Sequence, residues 1–302
     1  MNNQFKGTLM ALTGASLWGI LGIFIRNLNA FGLNGMDIAF FRCLLSGIGF
    51  MLFNAVTNPD VLKVKFKGLL ICFMYGIISY NVGFVSYGFA VERIPVSVAT
   101  VLMFLCPVWT ALLGRIFFKE KLGIKNGTSI IVCLIGAIMV SNVLSVGKVK
   151  LDLIGIICAL LNGFGVSLQV MIPRFFSKTL KKDTMLVYGF FGAAFVMALF
   201  TNFDAVSAGW SSPDRMSFVM NIVFVSWLCT TFANVSMVKS TNYLNTTVSS
   251  ILSAIEVVVG ALVGLLLYKE SMSLVQSLGA VIVVLGAIGP NIIPRKSQKG
   301  NT

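Results

Sequence analysis

The chain has 302 residues, of which 57% belong to the hydrophobic set and 11% are charged, whereas a soluble domain carries about 25% charged residues. So few charges cannot cover the water-facing surface of a soluble chain this long, and the composition specifies an all-α integral membrane protein. The net charge of +13 does not point to a nucleic-acid partner in this reading, because the Lys and Arg residues sit in short gaps between apolar runs and form no basic face.

A bilayer core of about 30 Å needs about 20 apolar residues per helix, and that length predicts ten spans: 7–27, 37–57, 68–90, 95–117, 125–142, 152–173, 184–203, 217–239, 245–268 and 274–293. The runs are continuous, without the alternation of a barrel. The first span follows a single lysine, Lys6, with no small-residue cleavage site after it, and is expected to stay in the protein. The longest connection, 204–215, is expected to be a turn because it carries Ser211-Ser212-Pro213-Asp214. With the N-terminus in the cytoplasm, sixteen Lys and Arg fall on the cytoplasmic side and six on the other, leaving Arg42 inside a span. This bias predicts a multi-pass protein of the cytoplasmic membrane with both termini inside.

Polar residues inside these runs are the candidate functional groups, because each costs free energy in lipid unless it faces water or a partner. Trp18 lies in the first span and Arg42 in the second, about 7.5 Å from the helix start, where it either snorkels to the headgroups or faces inward to a substrate carboxylate or to Glu256. In the third span Gly76, Tyr80, Gly83 and Tyr87 recur at helical spacing, with Asn81 beside them; Tyr87 is assigned to the interface with the headgroups. Pro107 removes a backbone donor from the fourth span and predicts a kink that can serve as a gate. Asn162 and Gln169 lie in the sixth span, and Trp227, Thr231 and Asn234 share a helical face in the eighth. Glu256 in the ninth is roughly 18 Å along the helix from either surface, too deep to snorkel. It lies on a small, polar face with Asn245, Ser249, Ser253, Gly260 and Gly264, which reads either as a cavity wall or as an interhelical hydrogen-bonding seam.

The chain also repeats itself. A shift of 150 residues places Val98, Leu102, Val108, Ala111, Leu112, Gly114, Lys119 and Glu120 on Val248, Leu252, Val258, Ala261, Leu262, Gly264, Lys269 and Glu270. A shift of 148 places Gly7, Ala11, Leu12 and Arg26 on Gly155, Ala159, Leu160 and Arg174. Five spans per unit is an odd number, so the two units, 1–145 and 146–302, are expected to be inverted five-helix repeats, an arrangement suited to alternating access around a site near the midplane.

These residues carry a resemblance. Leu17-Trp18-Gly19, Phe41-Arg42, Ser97-Val98-Ala99-Thr100 leading to Pro107 and Lys119-Glu120, and Asn245-Thr246-Thr247 leading through Ile255-Glu256 to Lys269-Glu270 resemble the drug/metabolite transporter superfamily, specifically its EamA-type ten-helix members. The resemblance implies a secondary transporter, an exporter of small metabolites, amino acids or drugs. The family pattern puts proline after the ninth-span glutamate. Val257 stands there, so the helix is expected to be straighter at that point.

Other classes fare worse. The chain has no histidine, so His-based general bases and His-ligated zinc are unavailable to a membrane enzyme, and no GxxxxGK[ST] loop provides ATP hydrolysis. No metal or cofactor is expected, and the six cysteines read as packing residues. A channel-like facilitator is the remaining alternative, although a pore is usually built around an axis normal to the membrane. The expected partners are a small-molecule substrate, the bilayer and a proton as candidate coupling ion, with the protein working as a monomer or weak dimer.

Overall fold

The computed structural model describes residues 3–120, 123–141, 143, 152–269 and 271–292. Among these residues every regular element is helical. Each predicted run overlaps a helix, the seventh ending six residues early: α1 (Asn3–Ala30), α2 (Gly35–Thr57), α3 (Phe66–Val91), α4 (Val96–Phe118), α5 (Ile124–Val140), α6 (Leu153–Phe175), α7 (Lys182–Met197), α8 (Arg215–Ser240), α9 (Thr246–Tyr268) and α10 (Leu274–Ile292). Seven of them, α1–α4, α6, α8 and α9, are long and apolar enough to cross a membrane, and α5 and α10 are shorter apolar helices. The 204–215 connection is more ordered than expected. It contains a two-turn helix, Phe203–Trp210, because the Asn202 side chain accepts from the Asp204 and Ala205 amides and caps it.

The outside of the bundle is apolar, with Ile124, Phe66, Leu199 and Leu266 all largely exposed, while Asp37, Ser46, Ser79, Thr110, Thr230 and Thr246 are fully buried. This inverts the soluble pattern, as a lipid solvent requires. Packing relies on small residues. A Cβ on Gly76 of α3 would lie 1.8 Å from the Gly189 carbonyl oxygen of α7, and one on Gly136 of α5 would lie 2.8 Å from the Gly279 carbonyl oxygen of α10. Backbones this close gain dispersion energy where the hydrophobic effect supplies nothing. The main helix pairs are α1–α8 and α6–α3, α1–α9 and α6–α4, α3–α7 and α8–α2, together with α2–α7, α4–α9 and α5–α10.

Local departures from regular helix shape the centre. α3 contains a π-helical segment at Ile77–Asn81 and α8 another at Trp227–Phe232. α4 breaks at Phe104–Leu105, with Pro107 the second residue of the helix that follows, and α9 breaks at Ser253–Ala254. The second break corrects the expectation drawn from Val257. The Glu256 and Val257 amides bond three residues back, to Ser253 and Ala254, without any proline. Ser253 Oγ donates to the Ser250 carbonyl at 2.6 Å, a local bond that competes with the regular helical pattern. α4 and α9 end alike, in Lys119 (φ 52°) and Lys269 (φ 53°), left-handed residues whose amides return to Gly114 and Gly264.

Candidate functional site

The centre of the bundle is built outward from Arg42. α2 turns it inward, nine-tenths buried, alongside Cys43 and Ser46. Its Nε donates to Thr230 Oγ1 on α8 at 2.9 Å, and its guanidinium lies over the Phe84 ring of α3 at 4.7 Å. It does not snorkel. The π-helical segment of α8 explains the position of Thr230, whose hydroxyl donates to the Val225 carbonyl five residues back, across the widened turn. Asn234 Nδ2 donates to the Thr230 carbonyl, and Tyr80 OH donates to Asn234 Oδ1 at 3.1 Å. Tyr75 OH donates to the Gln169 carbonyl of α6 at 3.0 Å. Both tyrosine hydrogens are then committed, so the 3.4 Å approach of the two hydroxyl oxygens is a contact without a shared proton. This array ties α2, α3, α6 and α8 to one cation.

Two sets of donors and acceptors in the centre are left open. The Nη groups of Arg42 have no hydrogen-bond partner among the described residues. Glu256, half-buried in the first turn of the second part of α9, likewise makes no side-chain hydrogen bond or ion pair among them. Its charge interacts with Arg42, with Tyr87 beside Thr100, and with Cys106 at the break in α4. A guanidinium and a carboxylate left without partners in this way keep donors and acceptors for other groups. Asn81, 6% exposed, has neither side-chain nitrogen nor oxygen bonded, and Asn162 bonds the Gly83 carbonyl through Nδ2 but leaves Oδ1 unpartnered. Unmet buried amides call for water or a ligand.

The structure brings Arg42, Tyr80 and Asn234 into one bonded array, with Glu256 near them. Trp18 packs half-buried on the apolar cluster that contains Tyr75 and Tyr80, and Pro107 sits at the break in α4. Trp227 is elsewhere: it is 47% exposed, its indole donates to the Leu45 carbonyl, and its ring covers Gly49 on the outer side of α2. The cause is the π-helical segment, whose extra residue rotates the chain so that Thr230, not Trp227, shares the inner face with Asn234. Thr230, Phe84 and Tyr75 were not anticipated from sequence, and Tyr87, four residues from the end of α3, packs on the cluster of Ala90, Ile94, Ala99 and Ala159.

The profile of the EamA-like transporter family matches residues 5–142 and again residues 153–291. The chain belongs to the EamA-like transporter family. It is therefore a multi-pass membrane transporter of the drug/metabolite transporter superfamily. Among its relatives, a Helicobacter pylori (strain ATCC 700392 / 26695) protein named as an uncharacterized transporter is 23% identical over 95% of both chains. The Bacillus subtilis (strain 168) uncharacterized transporter YdfC is 20% identical over 82% of this chain and 79% of its own. A solved crystal structure superposes with a TM-score of 0.79 at 15% identity, covering 97% of this EamA-like chain and 99% of the other, which establishes a shared fold.

Proposed function

We propose that this transporter is a secondary exporter that moves small metabolites with a carboxylate group, amino acids among them, across the cytoplasmic membrane by alternating access. The observation that carries the reading is the unpaired state of Arg42 and Glu256. The Arg42 fork is held by its Nε and presents its remaining donors to a carboxylate, and Glu256, within electrostatic reach of Arg42, receives an ammonium or a proton. A site without an internal ion pair exchanges its ligands without first having to break one.

Alternating access is supported by paired backbone features. The π-helical segments of α3 and α8 and the left-handed Lys119 and Lys269 recur 150 residues apart, and the breaks in α4 and α9 recur 149 apart. Exchanging α1–α5 with α6–α10 maps the main helix pairs onto one another. Both are what two inverted five-helix units, 1–145 and 146–302, produce, and such units open one cavity to either face in turn. Breaks at α4 and α9 place flexible points where the units meet.

The test is Glu256→Gln in proteoliposomes. A thermal-shift screen of amino acids, nucleosides, sugars and cationic drugs first finds a stabilising compound, and counterflow of that compound then reports exchange. The expected result is normal insertion, trans-acceleration in the wild type, and loss of pH dependence in the Gln variant, which keeps shape but cannot titrate. Unaltered flux and pH profile in Glu256→Gln would reduce Glu256 to a packing residue, and linear non-saturating flux in the wild type would indicate a pore.

A further inference from the structure

The strongest polar assembly outside the central site lies at the end of the bundle where α4 stops. Lys119 takes the left-handed conformation, so the chain reverses and the Glu120 amide donates to the Gly114 carbonyl at 3.1 Å. This folds the Glu120 carboxylate back beneath α4, where its Oε2 lies 2.8 Å from the position a Cβ on Gly114 would occupy. A Cβ there would push the carboxylate aside. Arg174, at the end of α6, donates from Nη1 to Glu120 Oε1 and also to Thr246 Oγ1 at 2.6 Å. Thr246 and Thr247, buried at the start of α9, hydrogen-bond to Glu120 Oε2 at 3.4 and 3.3 Å. The Arg174 guanidinium also lies over the Phe118 ring at 4.5 Å. The pair is mostly buried, with side-chain exposures of 23% and 12%.

These residues join the ends of α4, α6 and α9, and the first turn of α9 continues into the face that carries Ser249, Ser253 and Glu256. Between the end and the centre α4 and α9 also touch, through Thr110 Oγ1 donating to Ser250 Oγ at 3.2 Å. We infer that Glu120, Arg174 and Thr246 form a latch that holds α4, α6 and α9 together and closes the route from the central site to this end of the transporter, which is the cytoplasmic end in the proposed topology. The inference rests on the alternating-access reading. It accounts for the Lys-Glu pair that ends α4: the lysine supplies the reversal, and the glutamate supplies the charge. A mostly buried ion pair suits a latch, because removing one partner strands the other in a site that cannot solvate it, whereas separating both into water leaves each solvated. The opposite end carries matching parts: Lys269 has the same backbone conformation, and the Arg26 guanidinium lies over the Tyr268 ring at 4.0 Å. Glu270 lies outside the described residues.

The experiment uses the full chain with a Ser253→Cys reporter in membrane vesicles of both orientations, labelled with a membrane-impermeant maleimide. The six native thiols, five of them buried, set the baseline measured without the reporter. In the parent protein, labelling of the reporter from both faces supports the carrier, whereas labelling from one face under every condition refutes alternating access whatever Glu120 does. Glu120→Gln and Arg174→Gln are each expected to raise the rate from the cytoplasmic face about tenfold and to lower it from the other. Thr246→Val should act in the same direction by less. The reversed pair Glu120→Arg with Arg174→Glu should return both rates toward the parent. Unchanged rates in the single variants, a rise from both faces at once, or a reversed pair as open as the singles would each overturn the latch.

Discussion

Gly76→Ala tests whether the central array depends on the close approach of α3 and α7. A Cβ at this position would stand 1.8 Å from the Gly189 carbonyl oxygen and 2.9 Å from the Ala193 amide nitrogen, against the roughly 3.5 Å at which non-bonded atoms rest. Both obstacles are backbone, so no side chain can swing aside, and the helices must part by more than an ångström. Gly76 is followed directly by the π-helical segment that carries Tyr80, so the shift also pulls on the 3.1 Å bond from Tyr80 to Asn234. Overpacking of this kind costs about 1–3 kcal/mol, and a lost buried hydrogen bond adds about 1 kcal/mol. At about 2–4 °C per kcal/mol for a large domain, the thermal midpoint in detergent should fall by at least about 4 °C. Gly127→Ala is the control. A Cβ at Gly127, near the start of α5, meets nothing within 4 Å, and alanine is the better helix former, so its midpoint should hold or rise. A Gly76→Ala variant that melts with the wild type would refute the packing argument and, with it, the claim that α7 sets the position of Tyr80.

Two further expectations concern the cytoplasmic surface. Alkaline phosphatase fused after Asn301 should be inactive and a green fluorescent fusion bright, since sixteen of the Lys and Arg residues fall on that side; the opposite pair of results would invert the topology. Lys182, at the start of α7, donates to Thr241 Oγ1 and Asn242 Oδ1 at 2.6 Å each, yet burial, helped by the nearby Arg174 charge, brings its pKa down from 10.5 to about 8. With the folded value below the unfolded one, the ammonium form carries a folding penalty in full below about pH 8, and stability rises with pH between about 8 and 10.5. NMR of 13C-methylated lysines should show one resonance titrating near 8 in the wild type and missing in Lys182→Gln; a value at or above 10 would refute the burial argument.

The helices were legible because bilayer thickness imposes a run length that few other constraints imitate, and composition alone marks such runs. Arg42, Tyr80, Asn234 and Glu256 stood out for a related reason, the cost of a polar group in lipid. Their surroundings were harder to read. A π-helical segment is a one-residue insertion with no compositional signature, and it exchanges the places of Trp227 and Thr230. The break at Ser253–Ala254 comes from a serine bonding its own turn, while the proline rule pointed to a straight helix. Phe84 and Tyr75 look like any aromatic residue in a membrane helix until a guanidinium or a carbonyl is seen against them. The role of Lys119-Glu120 was hidden because a left-handed lysine and the glycine that makes room for the carboxylate are separated by regular helix.

The backbone features recur at an interval of about 150 residues, but the two central charges do not. The residue 150 positions after Arg42 is Gly192, and the one 150 positions before Glu256 is Cys106. A carrier assembled on such a frame has two end states that are nearly alike in shape and unlike in free energy, because one half brings the cation and the other the carboxylate. Each 1.4 kcal/mol of that difference moves the resting populations about tenfold. Under the alternating access proposed above, the dwell time on each side of the membrane is then a property of a few side chains, adjustable by substitution without disturbing the helices.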